Sequence, residues 1–272
     1  MYVSSHPPGP PHVRALDGVR AIAAIAVLLT HVGFLTGAVV PSMSGALTAR
    51  LDIGVALFFT LSGFLMLRPW IATAIGDREH GPALLDYARK RTARILPAYW
   101  AAMTAVLLLE AGRVFSEDLS SSLRVGPTSV LRHVFVVQGL FGSYFSTFSQ
   151  TWSLTTELTF YLVVPLIGVG LVRVCRTAPS RTARLLVVQR VCAGFVVIGA
   201  VAATYCASDL PGSSPTLGTS LLGHAAWFAA GAWVCTRTMS EGPSSTSRSA
   251  DERLGLAAVL LVLAASPPGG GL

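Results

Sequence analysis

Long apolar segments, separated by shorter segments rich in Arg, Pro, Gly and Ser, form the dominant pattern of this chain of 272 residues. Crossing the hydrocarbon core of a bilayer takes about 20 residues of helix, and several of the segments approach that length. The pattern therefore predicts an all-α protein, a polytopic bundle of about seven transmembrane helices. The predicted helices are Ala21–Val40, Ile53–Leu67, Pro97–Leu109, Trp152–Val172, Val191–Cys206, Thr219–Cys235 and a last short one, Leu254–Ala265.

Composition supports a membrane protein with no separate soluble domain. The chain is 52% hydrophobic and 12% charged, whereas a soluble domain carries about 25% charged residues. We expect one membrane domain, residues 16–266, between a disordered cytoplasmic segment, 1–15, and a disordered tail, 267–272. A cleaved signal peptide is the alternative interpretation of the first apolar segment. An uncleaved helix is favoured because the segment is longer than a usual signal sequence and further apolar segments follow.

The distribution of basic residues predicts the orientation, because cytoplasmic loops carry an excess of Lys and Arg. With the N-terminus in the cytoplasm, 16 of the 20 basic residues fall on the cytoplasmic side. The segment Val130–Phe148 contains apolar stretches, but if it crossed, the Arg-rich loop from Arg173 to Arg190 would move outside. We therefore expect this segment to be re-entrant or to lie on the outer surface.

The net charge of +7 does not indicate a nucleic-acid-binding protein. The basic residues cluster in loops between apolar segments, as membrane topology requires. The cysteines have neither CxxC nor metal-ligand spacing, and most lie in or beside apolar segments. We predict no disulfide and no metal site for the four, which are Cys175, Cys192, Cys206 and Cys235.

Arg20 and His31 form the most informative pair of ionisable residues, because His31 is the only ionisable side chain in Ala21–Val40. Their spacing corresponds to a rise of about 16 Å along a helix and a return to within about 20° of the same face. Arg20 would then lie at a water interface and His31 near the bilayer centre. An ionisable residue at that depth is a functional candidate, and an imidazole can act as a base. The alternative is a histidine that only hydrogen-bonds between helices.

Arg91 and Arg94 lie three residues apart and so share one face of a helix. Two guanidinium groups on one face can bind the phosphates of a ligand. The alternative is anchoring at the cytoplasmic interface, together with Tyr99 and Trp100. Pro97 suits the first turn of a helix. The spacing leaves both interpretations open.

Glu157 falls inside an apolar helix, where a carboxylate needs a partner or must be neutral. His31 or an arginine from another helix is the expected partner, and Tyr161 lies on the same face one turn later. A structural Glu–Arg contact is the alternative. Elsewhere, Gly63 and its small neighbours allow close helix packing, and packing is favoured over catalysis for Ser62 because it lies outside a G-x-S-x-G motif.

The chain resembles acyltransferase family 3, whose motifs occur here in the same order. The motif residues are Arg20-x10-His31, the run from Gly54 through Phe58-Phe59 to Ser62-Gly63-Phe64-Leu65, Arg91-x-x-Arg94-Ile-x-Pro97, and Trp152-Ser-Leu-x-x-Glu157-x-x-Phe160-Tyr161. Members are polytopic bacterial membrane O-acyltransferases. Motifs cover roughly Leu16 to Val172, and hydrophobicity extends the likeness more weakly beyond. Members usually have about ten core helices, so we expect that C-terminal helices are missing from this chain.

The resemblance implies that acyl-CoA, with acetyl-CoA as the expected donor, gives an acetyl or other short acyl group to a hydroxyl of a sugar. The sugar would belong to a cell-surface polysaccharide or a glycosylated metabolite. It implies catalytic roles for His31 and Glu157, binding of coenzyme A by Arg20, Arg91 and Arg94, no metal, and a place in the bacterial inner membrane. In the expected mechanism, Glu157 orients His31 or binds the acceptor.

Two other functions remain open at this point. One is a proton-coupled transporter, because His and Glu within the membrane are common in proton relays. The other is an inactive truncated fragment.

Overall fold

The computed structural model describes residues 14–37, 45, 48, 50–115, 127–142, 144–206, 208 and 215–240. Within these residues all regular secondary structure is helical, which confirms the predicted all-α fold. The predicted helix Leu254–Ala265 and the predicted tail, 267–272, lie outside the described residues. So does the predicted N-terminal segment, 1–15, except for the first two residues of helix α1.

The described part of the bundle contains seven helices of eight or more residues. They are α1 (Arg14–Leu35), α2 (Ile53–Ile75), α3 (Leu84–Phe115), α4 (Pro127–Val134), α5 (Trp152–Cys175), α6 (Arg181–Cys206) and α7 (Ala225–Ser240). Two 3-10 helices, Gln138–Phe141 and Ser146–Thr151, follow α4, and a single turn, Pro215–Gly218, precedes α7.

Five of the described helices are long and apolar enough to cross a membrane. They are Leu16–Phe34, Ile53–Ile75, Leu84–Leu109, Phe148–Cys175 and Arg181–Cys206. Large apolar side chains project from their outer faces; Leu162 and Leu166 on α5 are 73% and 72% exposed. Soluble proteins rarely expose contiguous apolar faces of this size. This protein is therefore a polytopic membrane bundle, as predicted.

The helix boundaries differ from the predicted ones mainly where charged residues precede an apolar segment. Helix α3 begins at Leu84, far before the predicted start at Pro97, and Pro97 lies inside it. Helix α6 likewise begins at Arg181 instead of Val191. Both added segments are rich in Arg, Leu and Ala, which favour helix. The prediction that Pro97 occupies a first helical turn is therefore wrong.

Successive long helices alternate in direction. Helices α2 and α5 are parallel, because Ser62 bonds to Glu157 while Trp70, further along α2, packs on Gly168 of α5. Contacts at two levels likewise show the directions of the other helices. Helix α7 is parallel to α2, whereas α1, α3 and α6 are antiparallel to it. Helices α3 and α5 are antiparallel, so the described segment between them, 127–142, does not form a single crossing. This agrees with the prediction that Val130–Phe148 is not a membrane span.

Helix α2 is the centre of the bundle and packs against α1, α5 and α7. A Cβ atom added to Gly63 would lie 2.0 Å from the carbonyl oxygen of Phe228, and one added to Gly231 would lie 1.9 Å from that of Thr60. The backbones of α2 and α7 are therefore in contact, and these positions accept only glycine. Gly54 has the same role against α1, so the predicted close approach of helices at small residues is confirmed.

Arg181 joins three helix ends. Its Nε and Nη2 donate to the two carboxylate oxygens of Asp77, each at 2.8 Å, and Nη2 also donates to the carbonyl oxygen of Met239 at 2.8 Å. Asp77 follows α2, Arg181 begins α6, and Met239 lies at the end of α7. The hydrogen bonds from Arg181 lower the pKa of Asp77 below its ordinary value.

Candidate functional site

Glu157 lies on α5 and faces α2. The Ser62 hydroxyl on α2 donates to Oε1 of Glu157 at 2.7 Å, and the Tyr161 hydroxyl, one turn along α5, donates to the same oxygen. Oε2 has no partner among the described residues. The prediction that His31 or an arginine pairs with this carboxylate is therefore wrong, because the contact between α2 and α5 presents hydroxyl groups to it. Ser62, for which the sequence favoured a packing role, therefore also donates a hydrogen bond to this carboxylate.

Arg91 lies beside the same tyrosine. Its Cζ atom is 5.8 Å from the centroid of the Tyr161 ring, within the range of a cation–π contact. Tyr87, one turn earlier on α3, donates from its hydroxyl to the carbonyl oxygen of Tyr161 at 3.1 Å. Tyr161 thus contacts Arg91 with its ring and Glu157 with its hydroxyl. The structure brings these two predicted site residues to one tyrosine without a direct ion pair between them.

Arg94 and Arg20, the other two candidate arginines, differ from Arg91 in their surroundings. Arg94, one turn beyond Arg91 on α3, is exposed. Arg20 on α1 donates from Nη1 to Oδ1 of Asp17 at 3.0 Å, and its side chain is 33% exposed. Such a partly exposed pair at i, i+3 is weak, so an anionic ligand can compete with Asp17 for this guanidinium.

One face of α1 packs on α2. Ala23, Ala26 and Thr30 are buried along the middle of this face. Arg20 and His31 both lie at one edge of it and are partly buried, so the prediction that they share a helix face is confirmed. His31 has no hydrogen bond to any residue that the structure describes.

The edge of α1 that carries His31 lies against a stripe of α2. The Cγ2 atom of Val27 is 2.8 Å from the position that a Cβ on Gly54 would take. Residues spaced by four share a helix face, so Phe58 and Ser62 continue the stripe that starts at Gly54. We call these two facing rows of residues the α1–α2 seam; Val27 and Gly54 are its point of contact. Its residues are Arg20, Val27 and His31 on α1 and Gly54, Phe58 and Ser62 on α2.

His31 and Glu157 lie at different depths. Ser62, which binds Glu157, is about 12 Å along α2 from Gly54, and His31 is about 6 Å beyond Val27 in the opposite direction. The two side chains are therefore about 18 Å apart along the helix axes. The expected contact in which Glu157 orients His31 is not formed, because about three helical turns separate the two levels.

His31 also lies nearer to a helix end than the sequence indicated. The apolar part of α1 is Leu16–Phe34, so Arg20 is near its start and His31 near its end. Helix α1 begins at Arg14 and ends at Leu35 instead of spanning the predicted Ala21–Val40, so His31 lies about one turn before its end.

His224 is a buried imidazole that sequence reasoning missed. Its ring lies 5.4 Å from that of Phe59, 5.1 Å from Trp152 and 4.7 Å from Trp227. Its Nδ1 is 3.0 Å from the carbonyl oxygen of Ser220, which only accepts, so Nδ1 carries the proton. A lone histidine after a glycine gave no signal, because its aromatic neighbours come from three separate segments.

His133 is a structural histidine. It is fully buried, its Nδ1 donates to the carbonyl oxygen of Ser129 at 2.8 Å, and its Nε2 accepts from the backbone N–H of Phe145 at 3.4 Å. Burial lowers its pKa. Tyr99 donates to its carbonyl oxygen at 2.9 Å. These contacts hold α4 and the following segment against α3.

The four cysteines are all free. In the part of the chain that the structure describes, no three His, Cys, Asp or Glu side chains are grouped to hold a metal ion.

Comparison with known proteins identifies related sequences. A family model described as "Acyltransferase domain" matches residues 13–266. The peptidoglycan O-acetyltransferase OatA of Listeria monocytogenes is 27% identical over 164 residues, which are 57% of this chain and 24% of that protein. The O-acetyltransferase OatA of Staphylococcus aureus is 26% identical over 167 residues, 58% of this chain and 25% of that protein.

The matched part of this chain thus covers about a quarter of the length of these two relatives. No solved structure gives a significant match.

Proposed function

Because this chain belongs to the acyltransferase family, whose model matches residues 13–266, we propose that it is a membrane-bound O-acyltransferase. In this proposal it transfers an acetyl or other short acyl group from acyl-CoA to a hydroxyl of a sugar. The sugar belongs to a cell-surface polysaccharide or a glycosylated metabolite. The observation that carries the proposal is that the matched range contains His31, Glu157 and the three candidate arginines on spanning helices. The names of the two relatives, both O-acetyltransferases, support an oxygen acceptor.

The arginines are proposed to bind the donor. The phosphates of coenzyme A are multiply charged, and guanidinium groups bind phosphate through paired hydrogen bonds. Arg91 is partly buried and has no ion pair with a described residue, so it is proposed to hold a phosphate inside the bundle. Arg94, exposed one turn away, adds charge on the same helix. Arg20 is proposed to bind a second phosphate at the end of the α1–α2 seam that is level with Ser62.

The pantetheine arm is proposed to lie along the partly buried edge of the α1–α2 seam, beside the contact of Val27 with Gly54. This seam joins the level of Glu157 to the level of His31, a distance of about 18 Å by helical rise, and an elongated ligand suits such a line. The free Oε2 of Glu157 can accept a hydrogen bond from an amide N–H of the arm. Glu157 would then bind the donor instead of orienting His31.

His31 is the proposed general base. Its imidazole takes the proton of the acceptor hydroxyl as the oxygen attacks the thioester carbon. The new C–O bond forms, the C–S bond breaks, and the proton passes from His31 to the departing thiolate. No described residue hydrogen-bonds to this ring, which leaves it available to substrate.

The proposed location is the bacterial inner membrane with the N-terminus in the cytoplasm, from the excess of basic residues on that side. In that orientation α3 starts at the cytoplasmic face, so Arg91 lies on the path of a cytoplasmic donor. His31, near the other end of α1, lies toward the outer face, where a cell-surface sugar would reach it.

The test is transfer of radiolabelled acetyl from acetyl-CoA by the chain in proteoliposomes that contain a sugar acceptor. We expect His31→Ala to lower the rate by a factor of about 10² or more, the usual contribution of a general base. His80→Ala is the matched control, because His80 is exposed in the loop after α2. Equal transfer by His31→Ala and the unsubstituted chain would remove His31 from catalysis.

A further inference from the structure

Tyr161 makes three contacts that join two helices at the candidate site. Its ring faces the guanidinium of Arg91 at 5.8 Å, and its hydroxyl donates to Glu157. Its carbonyl oxygen accepts from Tyr87 at 3.1 Å. The side chain is almost completely buried, at 8% exposure. Its ring face therefore contacts Arg91 while its hydroxyl binds Glu157.

This arrangement keeps two opposite charges close but not paired. Inside a bundle, where the effective dielectric constant is low, a cation and a carboxylate attract each other strongly. A direct Arg91–Glu157 pair would occupy the guanidinium with two charge-assisted hydrogen bonds. Tyr161 contacts both groups, the guanidinium with its ring face and the carboxylate with its hydroxyl, and Ser62 holds the same carboxylate oxygen from α2.

We propose that Tyr161 is a positioning residue that keeps the Arg91 guanidinium apart from the Glu157 carboxylate, so that Arg91 stays available to the phosphates of the acyl donor. The inference rests on the proposed function. It explains why Arg91 is not neutralised by an ion pair with Glu157. Ser62 is the second positioning residue, because its hydrogen bond stops the carboxylate from turning toward α3.

The test measures the dissociation constant of acetyl-CoA for the chain in lipid nanodiscs. Tyr161→Leu removes both the ring and the hydroxyl, so Arg91 can pair with Glu157, and we expect the dissociation constant to rise about tenfold. Tyr161→Phe keeps the ring that Arg91 faces, and we expect a rise of only about two- to threefold. Tyr205→Leu, a substitution of a partly buried tyrosine on α6, is the matched control with no expected change.

A second substitution separates charge spacing from packing. Adding Glu157→Gln to Tyr161→Leu removes the carboxylate that would capture Arg91. We expect the double variant to bind acetyl-CoA as tightly as Glu157→Gln alone. A merely structural role of the ring would instead leave the double variant weaker than Glu157→Gln. Tyr161→Met, which loses the ring but keeps most of the volume, replaces Tyr161→Leu if thermal unfolding shows that the latter does not fold.

The outcomes distinguish this inference from the proposed function. If the unsubstituted chain does not bind acetyl-CoA, the proposed donor site is wrong and the inference falls with it. If it binds, but Tyr161→Leu binds equally well or Glu157→Gln restores nothing, only the positioning role of Tyr161 is overturned. Restored binding in the double variant supports both.

Discussion

Gly231→Ala tests the contact between α2 and α7 on which the position of Ser62 depends. The added Cβ would lie 1.9 Å from the carbonyl oxygen of Thr60 and 2.8 Å from the backbone nitrogen of Phe64. Both atoms belong to the backbone of the central helix, so no flexible side chain can move aside. The helices must separate by roughly 1 Å, which opens gaps in a close-packed interior.

The expected cost follows from overpacking. Forcing an extra methyl group into a well-packed site costs about 1–3 kcal/mol and occasionally more, and here the obstruction is backbone on both sides. We expect the upper part of that range. Substituting alanine for glycine within a helix gains about 0.5–1 kcal/mol, which offsets only part of the loss.

The assay is thermal unfolding of the purified chain in detergent, with Gly194→Ala as the matched control. Gly194 lies on α6, and a Cβ there would meet nothing within 4 Å. We expect Gly231→Ala to lower the unfolding temperature and Gly194→Ala to leave it unchanged or raise it. Equal unfolding temperatures for the two variants would show that α2 and α7 do not pack as described.

Three further predictions concern Arg91, Asp77 and Trp100. Arg91→Gln should raise the KM for acetyl-CoA more than Arg94→Gln does, because Arg91 is partly buried beside Tyr161 and Arg94 is exposed; equal changes would argue against a phosphate site inside the bundle. Because Arg181 lowers the pKa of Asp77, the stabilisation is fully present above about pH 4, the range of an unperturbed carboxyl, and is lost as the pH falls through the lowered pKa. Thermal unfolding should therefore separate Asp77→Asn from the unsubstituted chain at neutral pH but not in strong acid, and a constant difference would contradict this. Trp100→Phe removes the hydrogen bond from Nε1 to the carbonyl oxygen of Val134, 3.0 Å long, and should cost about 1 kcal/mol; an unchanged unfolding free energy would show that α3 does not hold α4 this way.

The spacing of apolar residues was enough to predict the helical class and most of the spanning helices. The excess of positive charge was enough to predict that Val130–Phe148 does not cross, because only that choice kept the Arg-rich loops on one side. Hydrophobicity failed at the start of α3, because the turns from Leu84 to Pro97 are charged. Those turns are helical because Tyr87 and Arg91 pack against Tyr161, a contact that hydropathy cannot detect.

The partners of Glu157 could be predicted only in part. Tyr161 was identified from its spacing of four residues on the same helix. Ser62 was not, because 95 residues of chain separate it from Glu157 and only the packing of α2 on α5 brings them together. The position of His31 relative to the ends of its helix differs from the prediction, because α1 runs from Arg14 to Leu35.

The proposed position of the acyl donor along the α1–α2 seam can be tested by protection of residue 58 from a thiol reagent. Phe58 lies between Gly54 and Ser62 on the seam and is partly buried. The thiol introduced by Phe58→Cys, in a background without the four native cysteines, should react more slowly with a maleimide when acetyl-CoA is present. The thiol introduced by Leu162→Cys, at a side chain that is 73% exposed on α5, should react at the same rate with or without it. Equal rates at position 58 with and without acetyl-CoA, or no reaction there at all, would show that the donor does not lie along the α1–α2 seam.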